Sequence, residues 1–263
     1  MLLMEMNLKK KINNKVAIVT DAGSGIGKAV ALGLAREGVD TYLAGRKKDK
    51  LLTTKQISIK ENNEGICHVI KCDVSKETDV RKMFMLIQKH YGRLDLLFNN
   101  AGIGLQASTL DKIKFEDWKK VIDTNIHGMF LCAKYAYKLM KKQRPKGGRI
   151  INNGSISAFT PRPGTAAYTA SKHAITGLTK SIALDGREDN ILCSQIDIGN
   201  AETAITKSFK KGVIQPNGRL LKEATMNAED VAKSVITIVN LPLDTNILNL
   251  TIMANKMPFV GRG

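Results

Sequence analysis

Short runs of β-branched and aliphatic residues alternate along the chain with longer segments whose apolar positions recur every three to four residues. The short runs are KVAIVT, DTYLAG, GICHVIK, LDLLFNN, GRIINNGS, ILCSQIDI and ILNLTIMA. Continuous apolar runs are typical of strands covered on both faces, and the segments between them, such as GKAVALGLAREG and ETDVRKMFMLIQKHYG, have the period of amphipathic helices. The alternation predicts an α/β fold: a doubly wound parallel sheet of about seven strands with helices on both faces.

One segment fits this alternation poorly. Residues 203–227 are polar, are interrupted by Pro216 and Gly218, and directly follow the sixth predicted strand. Ligands of such sheets bind beyond the carboxyl ends of the strands, so we expect this segment to be a mobile lid over a binding site. Because no Pro-, Gly- or Ser-rich linker and no repeat divides the chain, we expect residues 1–263 to form a single domain.

The composition is that of a globular protein, with 43% hydrophobic and 25% charged residues among 263. No apolar run approaches the ~18 residues of a membrane span, and the start MLLMEMNLKKKINN lacks the order of a signal peptide, so we expect a cytoplasmic protein without a membrane partner. The four cysteines have neither C-x-x-C spacing nor neighbouring histidines. We therefore expect reduced, mostly buried thiols and no metal site; they are Cys67, Cys72, Cys132 and Cys193.

The net charge is strongly positive, with 41 Lys and Arg against 24 Asp and Glu, a difference of +17. The lysines are scattered and are not interleaved with aromatic residues, a pattern that favours a solvated surface over a nucleic-acid partner. Nucleic-acid binding remains an alternative that rests on charge alone. Tight, steeply salt-dependent binding to DNA or RNA would favour it.

The stretch VTDAGSGIGKAV at residues 19–30 places Gly23, Gly25 and Gly27 between a predicted strand and a predicted helix. A turn of this kind lets backbone approach a phosphate, and the helix N-terminus adds partial positive charge. Structural glycines in a tight connection give the same pattern, so this segment alone leaves nucleotide binding open.

A second constellation is more specific. Tyr168 and Lys172 are four residues apart in a helix-compatible stretch and project from one face, and Ser155 ends the strand GRIINNGS upstream. With TDAGSGIG, CDV, NNAG and DTNIHGMF, these residues resemble the classical short-chain dehydrogenase/reductase family over nearly the whole chain. The resemblance implies a Rossmann fold and an oxidoreductase that transfers a hydride between a nicotinamide cofactor and a carbonyl or alcohol.

The resemblance also implies roles for single residues. Tyr168 is the acid/base, helped by Lys172, which also binds the nicotinamide ribose. Ser155 orients the substrate oxygen, and Asn125 holds a water that relays protons toward Lys172. Taken singly, a surface Tyr–Lys pair, a strand-end serine and a helix-breaking asparagine are also compatible with these positions. Their joint occurrence favours catalysis.

The same resemblance implies the cofactor contacts. The expected residues are Gly23, Ser24, Gly25, Ile26, Gly27, Arg46, Asp73, Val74, Asn99, Ala101, Gly102, Thr203, Tyr168 and Lys172. Gly45 stands where an acidic residue would bind a ribose 2′-hydroxyl, and Arg46 follows it, which favours NADP over NAD. Arg46 could equally stack on adenine or face solvent. For Asp73, a helix N-cap is the alternative.

Two positions depart from the family pattern. Asp21 carries a carboxylate where the family has glycine, and Ile198 replaces a proline. Both leave open a pseudoenzyme or regulatory module with a weakened nucleotide site. We expect a homodimer or homotetramer through helices around residues 115–142 and 166–187. The small-molecule substrate is not identified, and its specificity is expected in residues 103–112, 156–165 and 203–227.

Overall fold

A parallel sheet of seven strands runs through the computed structural model, which describes residues 15–203 and 212–260. The strands are β1 Val16–Thr20, β2 Asp40–Gly45, β3 Cys67–Lys71, β4 Leu96–Asn99, β5 Gly148–Asn153, β6 Ile191–Gly199, β7 Val213–Ile214, β8 Leu220–Leu221 and β9 Asn249–Met253. The large sheet has the order β3-β2-β1-β4-β5-β6-β9, and β7 and β8 form a separate antiparallel hairpin. The predicted doubly wound parallel sheet is confirmed.

Helices cover both faces of this sheet. They are α1 Gly25–Arg36, α2 Lys48–Lys60, α3 Glu77–Tyr91, α4 Phe115–Ile122, α5 Gly128–Lys142, α6 Ala166–Asp185 and α7 Ala228–Asn240. Successive strand residues point to opposite faces. Ala17 and Val19 therefore pack with α1 and α7, whereas Val16 and Ile18 pack with α3 and α5. Because both faces of β1 are buried, its sequence is an almost continuous run of apolar residues.

The strand order reverses direction at β1, which lies between β2 and β4. The loops after β1 and β4 consequently diverge, and a crevice opens between them at the carboxyl edge of the sheet. All four cysteines are buried free thiols. Within residues 15–203 and 212–260, no helix is long and apolar enough to cross a membrane.

Candidate active site

A cleft lies at this crevice, bordered by the loops that follow β1 to β4. Its lining residues are Asp21, Gly45, Arg46, Cys72, Asp73, Val74, Ala101, Gly102, Ile103 and Thr124. Five of the expected cofactor contacts, from three separate loops, therefore lie together here: Arg46, Asp73, Val74, Ala101 and Gly102.

The glycine loop fits a phosphate group. Ser24 is the N-cap of α1, makes no side-chain cap hydrogen bond, and is followed by a first turn without acidic residues, so the first amides of the helix remain available to an anion. Gly25 has a φ of +51°, and a Cβ on Gly27 would lie 2.3 Å from the carbonyl oxygen of Asp21. Both positions thus require glycine, and Gly23 and Ile26 lie half-buried beside them.

Asp21 lies at the mouth of the cleft with an exposed side chain and a φ of +53°. The backbone therefore needs a left-handed conformation, which aspartate adopts more readily than most residues but less readily than glycine. Crowding by protein atoms raises the pKa of the Asp21 carboxyl, and the positive charges of Arg46, Lys50 and Lys47 oppose this rise. The local cations thus offset part of the cost of placing a carboxylate here.

Arg46 and Asp73 border the same cleft from neighbouring strands. Arg46 is exposed directly after β2. Asp73 accepts hydrogen bonds from the backbone N–H and the hydroxyl of Ser75, at 3.1 and 2.7 Å. The N-cap of α3 is Lys76, so Asp73 is not the helix cap. The Asp73 carboxylate thus closes a turn, and it can still accept a hydrogen bond from a ligand in the cleft.

Asn99 is not among the residues that line the cleft. Its side chain is buried and donates to the carbonyl oxygen of Met129 at 2.8 Å and to Asn152 at 3.2 Å. The neighbouring Asn100 lies at the crevice instead, where its amide donates to the Thr20 carbonyl at 2.9 Å. The Thr20 hydroxyl accepts from the N–H groups of Asn100 and Ala101.

A chain of polar contacts leads from this crevice to Lys172. The Asn153 side chain donates to Asn100 Oδ1 at 2.7 Å, and Lys172 Nζ donates to the Asn153 carbonyl at 2.7 Å. Sequence reasoning missed Thr20, Asn100 and Asn153. The repeated Asn-Asn pairs in LDLLFNN and GRIINNGS, at the ends of strands that prove to be neighbours, are the signal that could have identified the two asparagines.

The structure brings Ser155, Tyr168 and Lys172 together. Ser155 follows β5 in extended conformation, and its Oγ accepts from the Ser157 N–H at 3.1 Å. Ser155 and Tyr168 are hydrogen bonded. Lys172 Nζ lies 5.4 Å from the centre of the Tyr168 ring, and its side chain is buried.

Burial dominates the protonation equilibria of this group. Burial raises the pKa of Tyr168, and the negative charge of Asp197 raises it further. The Ser155 hydrogen bond and the positive charge of Arg162 act in the opposite direction and lower it. Burial also lowers the pKa of Lys172 to about 8, against the opposing charge of Asp197. In the protein alone the Tyr168 phenol is therefore protonated at neutral pH, although the Lys172 ammonium faces its ring.

Asn125 lies in a π-helical turn, Asp123–His127, which joins α4 to α5. Its side chain is fully buried, accepts from the Ile103 N–H at 2.8 Å, and donates to the Ile103 carbonyl at 2.9 Å and to Ser171 at 3.1 Å. Both of its N–H bonds are thus used to fix the loop after β4 to α6. The relay water stays a prediction.

Thr203 lies against the glycine loop, because a Cβ on Gly25 would be 3.0 Å from Thr203 Cγ2. Ile198, in place of the family's proline, is paired with Ile252 of β9, so β6 continues to Gly199. Of the predicted lid, residues 204–211 lie outside the described residues.

The described rest of that segment is attached to the loop after β5 by a buried ion pair. Arg162 donates through two nitrogens to both carboxylate oxygens of Glu223, each at 2.7 Å, and the exposed fractions of the two side chains are 11% and 0%. The side-chain amides of Asn200 and Gln215 also donate to Glu223, at 2.7 and 2.9 Å respectively. The loops after β5 and β6 are thus joined to the β7–β8 hairpin.

Comparison with known proteins accords with this geometry. The model of the short chain dehydrogenase family matches residues 15–213. A 3β-hydroxysteroid dehydrogenase of Mediterraneibacter gnavus is 38% identical over 197 residues, 75% of this chain and 70% of that protein. A farnesol dehydrogenase of Aedes aegypti is 33% identical over 242 residues, 90% of this chain and 95% of the relative.

Solved structures share the fold. A short-chain dehydrogenase/reductase from Mycobacterium marinum superposes with a TM-score of 0.82 at 25% identity, over 94% of this chain and 97% of its own. An actinorhodin polyketide ketoreductase variant with NADPH superposes with a TM-score of 0.79 at 26% identity, over 91% of this chain and 95% of its own. A 3-ketoacyl-(acyl-carrier-protein) reductase from Brucella melitensis with NADH superposes with a TM-score of 0.80 at 23% identity, over 93% of this chain and 99% of its own.

The chain belongs to the short-chain dehydrogenase family. It is an oxidoreductase that transfers a hydride between a nicotinamide cofactor and a small carbonyl or alcohol substrate, as the sequence predicts. No observation favours the alternative of a pseudoenzyme.

Proposed function

We propose that this chain is an NADP-preferring carbonyl/alcohol oxidoreductase in which Tyr168 is the acid/base, Ser155 orients the substrate oxygen and Lys172 supports Tyr168. The observation that carries the proposal is the convergence of these three side chains at the buried end of β5, beside a cleft whose glycine loop fits a phosphate. Asn125 fixes the framework around them through Ile103 and Ser171.

The protonation state of Tyr168 determines the chemistry this site can perform. A bound nicotinamide supplies the hydride donor or acceptor. Because the pKa of Tyr168 is raised, its hydroxyl is protonated at neutral pH and can donate to a carbonyl oxygen. Alcohol oxidation needs the phenolate, so we expect its rate to rise with pH. The Ser155 hydroxyl, which donates to Tyr168 in the protein alone, can donate instead to a bound substrate oxygen.

Arg46 supports the preference for NADP. It is exposed at the end of β2 on the cleft, where guanidinium geometry suits a 2′-phosphate, and it contributes to a cationic rim with Lys47 and Lys50. Relatives of this fold have been solved with NADPH and with NADH. The preference for NADP over NAD is therefore inferred from Arg46.

The substrate we propose is an alcohol on a largely apolar skeleton, or the corresponding ketone or aldehyde. The names of two relatives, a 3β-hydroxysteroid dehydrogenase and a farnesol dehydrogenase, support this class. Exposed apolar side chains in the loops after β5 and β6 also support it, namely Phe159, Ile214, Leu220 and Leu221. Exposed side chains of this kind suit contact with an apolar ligand.

We also propose a homodimer or homotetramer formed through α4, α5 and α6. Phe130 on α5 is 47% exposed and Leu184 on α6 is 57% exposed, which supports a partner for these surfaces. Light scattering at several concentrations is the test, and a concentration-independent monomer would refute it.

Turnover of a panel of apolar alcohols and ketones with NADPH and NADH, followed by nicotinamide absorbance, tests the proposed function. We expect ketone reduction with NADPH to exceed that with NADH. Failure to bind either nucleotide would contradict the proposal outright, whereas binding without turnover would refute only the substrate class.

A further inference from the structure

Asp197 on β6 is a fully buried carboxylate bonded to the backbone of Ser155, and none of the roles proposed above involves it. Its Oδ1 accepts from the Ser155 N–H and from Gln195 Nε2, both at 2.8 Å, and its Oδ2 accepts from Asn249 Nδ2 at 2.6 Å. All three partners are N–H donors, and N–H donors complement a carboxylate rather than a carboxylic acid, whose proton needs an acceptor.

The carboxylate and Lys172 hold the same turn from two sides. Lys172 Nζ donates to the carbonyl of Asn153, while the N–H of Ser155 donates to Asp197. Between them, a Cβ on Gly154 would be 2.2 Å from Asp197 Oδ1, so the turn approaches the carboxylate more closely than any other residue would allow. The end of β5 is therefore shaped around this anion.

Four ionisable groups influence one another electrostatically here. Asp197 is on β6, Arg162 is on the loop after β5, and Tyr168 and Lys172 are on α6. Burial lowers the pKa of Lys172 to about 8, and the charge of Asp197 opposes that fall. Removal of the carboxylate would leave a buried ammonium without a negative charge to stabilise it.

We propose that Asp197 is a positioning residue: a buried counter-charge that keeps Lys172 protonated and fixes the turn that carries Ser155. This inference rests on the proposed function, since it assigns a purpose to groups whose catalytic roles are proposed above. Asp197 acts through Lys172 and Ser155 and does not itself reach the reacting atoms.

The substitution Asp197→Asn tests the charge with little change of shape. The Asn249 amide can rotate and offer its oxygen to the new amide, so the hydrogen bonds can be remade without the charge. The matched control is Asn249→Ala, which removes one hydrogen bond to Asp197 and keeps the charge. If Asp197→Asn fails to fold, Asp197→Ser replaces it, because a hydroxyl can still accept from the Ser155 N–H.

The direct readout is the pKa of Lys172 in the cofactor-free protein, followed by NMR of lysines labelled at Cε, with the signal assigned by its loss in Lys172→Arg. Removal of a nearby negative charge makes protonation less favourable, so we expect the pKa to fall by about one pH unit in Asp197→Asn and to stay unchanged in Asn249→Ala. In a plot of turnover rate against pH, the fall in rate at alkaline pH should begin at a pH lower by the same amount.

An unchanged Lys172 pKa in Asp197→Asn would overturn the proposal, as would an equal shift in Asn249→Ala, which would indicate a purely structural effect. In the wild type, a Lys172 pKa below neutrality would overturn it without any variant. The NMR readout does not depend on turnover. Retained turnover in Tyr168→Phe would refute the proposed function and leave the Lys172 result standing.

Discussion

The two halves of the carboxyl edge are built differently. After β1 and β2, the loops at the cofactor cleft have exposed charges, with Asp21 opposed by Arg46, Lys47 and Lys50. After β5 and β6, the polar groups are buried and bonded to one another. In that half Lys172 is 3% exposed and Asp197 is fully buried.

This difference determines how far each half tolerates change. Water and mobile cations can compensate a change of charge in the exposed half, so an unusual residue such as Asp21 persists there. A buried polar group has only the partners that the fold supplies, and the loss of one partner leaves the other unsatisfied. We therefore expect large effects from substitutions in the buried half and small ones in the cofactor half.

The largest effect is expected for Tyr168→Phe. Only the hydroxyl that handles the proton is removed, so turnover should fall by ~10²–10⁴-fold while cofactor affinity stays nearly unchanged. Steady-state rates and cofactor titration check both parts. Retention of more than about a tenth of the rate would contradict the assigned role.

Next in size is the stability change in Glu223→Gln. Burial pushes the pKa of Glu223 upward, but the hydrogen bonds from Arg162, Asn200 and Gln215 outweigh it and lower the pKa to about 2. Breaking a buried pair of this kind costs roughly 3 kcal/mol of unfolding free energy. Denaturant unfolding measures it, and Glu77→Gln, an exposed partner of Lys134, is the control for which little change is expected.

The pH dependence of this effect has a definite sign. Because the folded pKa lies below the ordinary value of 4.5, the stabilisation is complete above that pH and is lost as pH falls toward 2. The gap in stability between wild type and Glu223→Gln should therefore close over this interval. A gap that is independent of pH would show that the ion pair is not its source.

In the exposed half, Arg46→Ala should weaken NADPH binding by roughly 10-fold and leave NADH binding almost unchanged, because the guanidinium is expected to meet the 2′-phosphate. Isothermal titration with both nucleotides measures this. The matched control is Lys48→Ala, a neighbouring exposed cation that does not line the cleft. Equal losses for the two nucleotides would refute the preference for NADP.

The smallest effect is expected for Asp21→Gly. Removal of a partly screened carboxylate from the cleft, and restoration of glycine at a φ of +53°, should strengthen cofactor binding by about 1 kcal/mol, and more for NADP than for NAD. Asp21→Asn separates charge from backbone, since asparagine also tolerates this conformation. Weaker binding by the glycine variant would mean that the carboxylate holds the loop in shape.

The sequence predicted the sheet and the proximity of Tyr168 and Lys172 because each depends on local signals. The strand prediction DTYLAG coincides with β2, and Tyr168 and Lys172 lie on one face of α6 through their spacing of four. The π-helical turn at Asn125 and the β7–β8 hairpin were not predicted, because neither has a strong local pattern. Asp197 also gave no signal, since its partners Ser155 and Asn249 are 42 and 52 residues away.

Transfer of deuterium from [4,4-²H₂]NADPH to a ketone, detected by mass spectrometry of the alcohol, tests the central claim most directly. The account predicts one deuterium per product molecule with the wild type, and a rate lower by at least ~10²-fold with Tyr168→Phe at equal nucleotide affinity. Deuterium transfer at a similar rate in both proteins would contradict it.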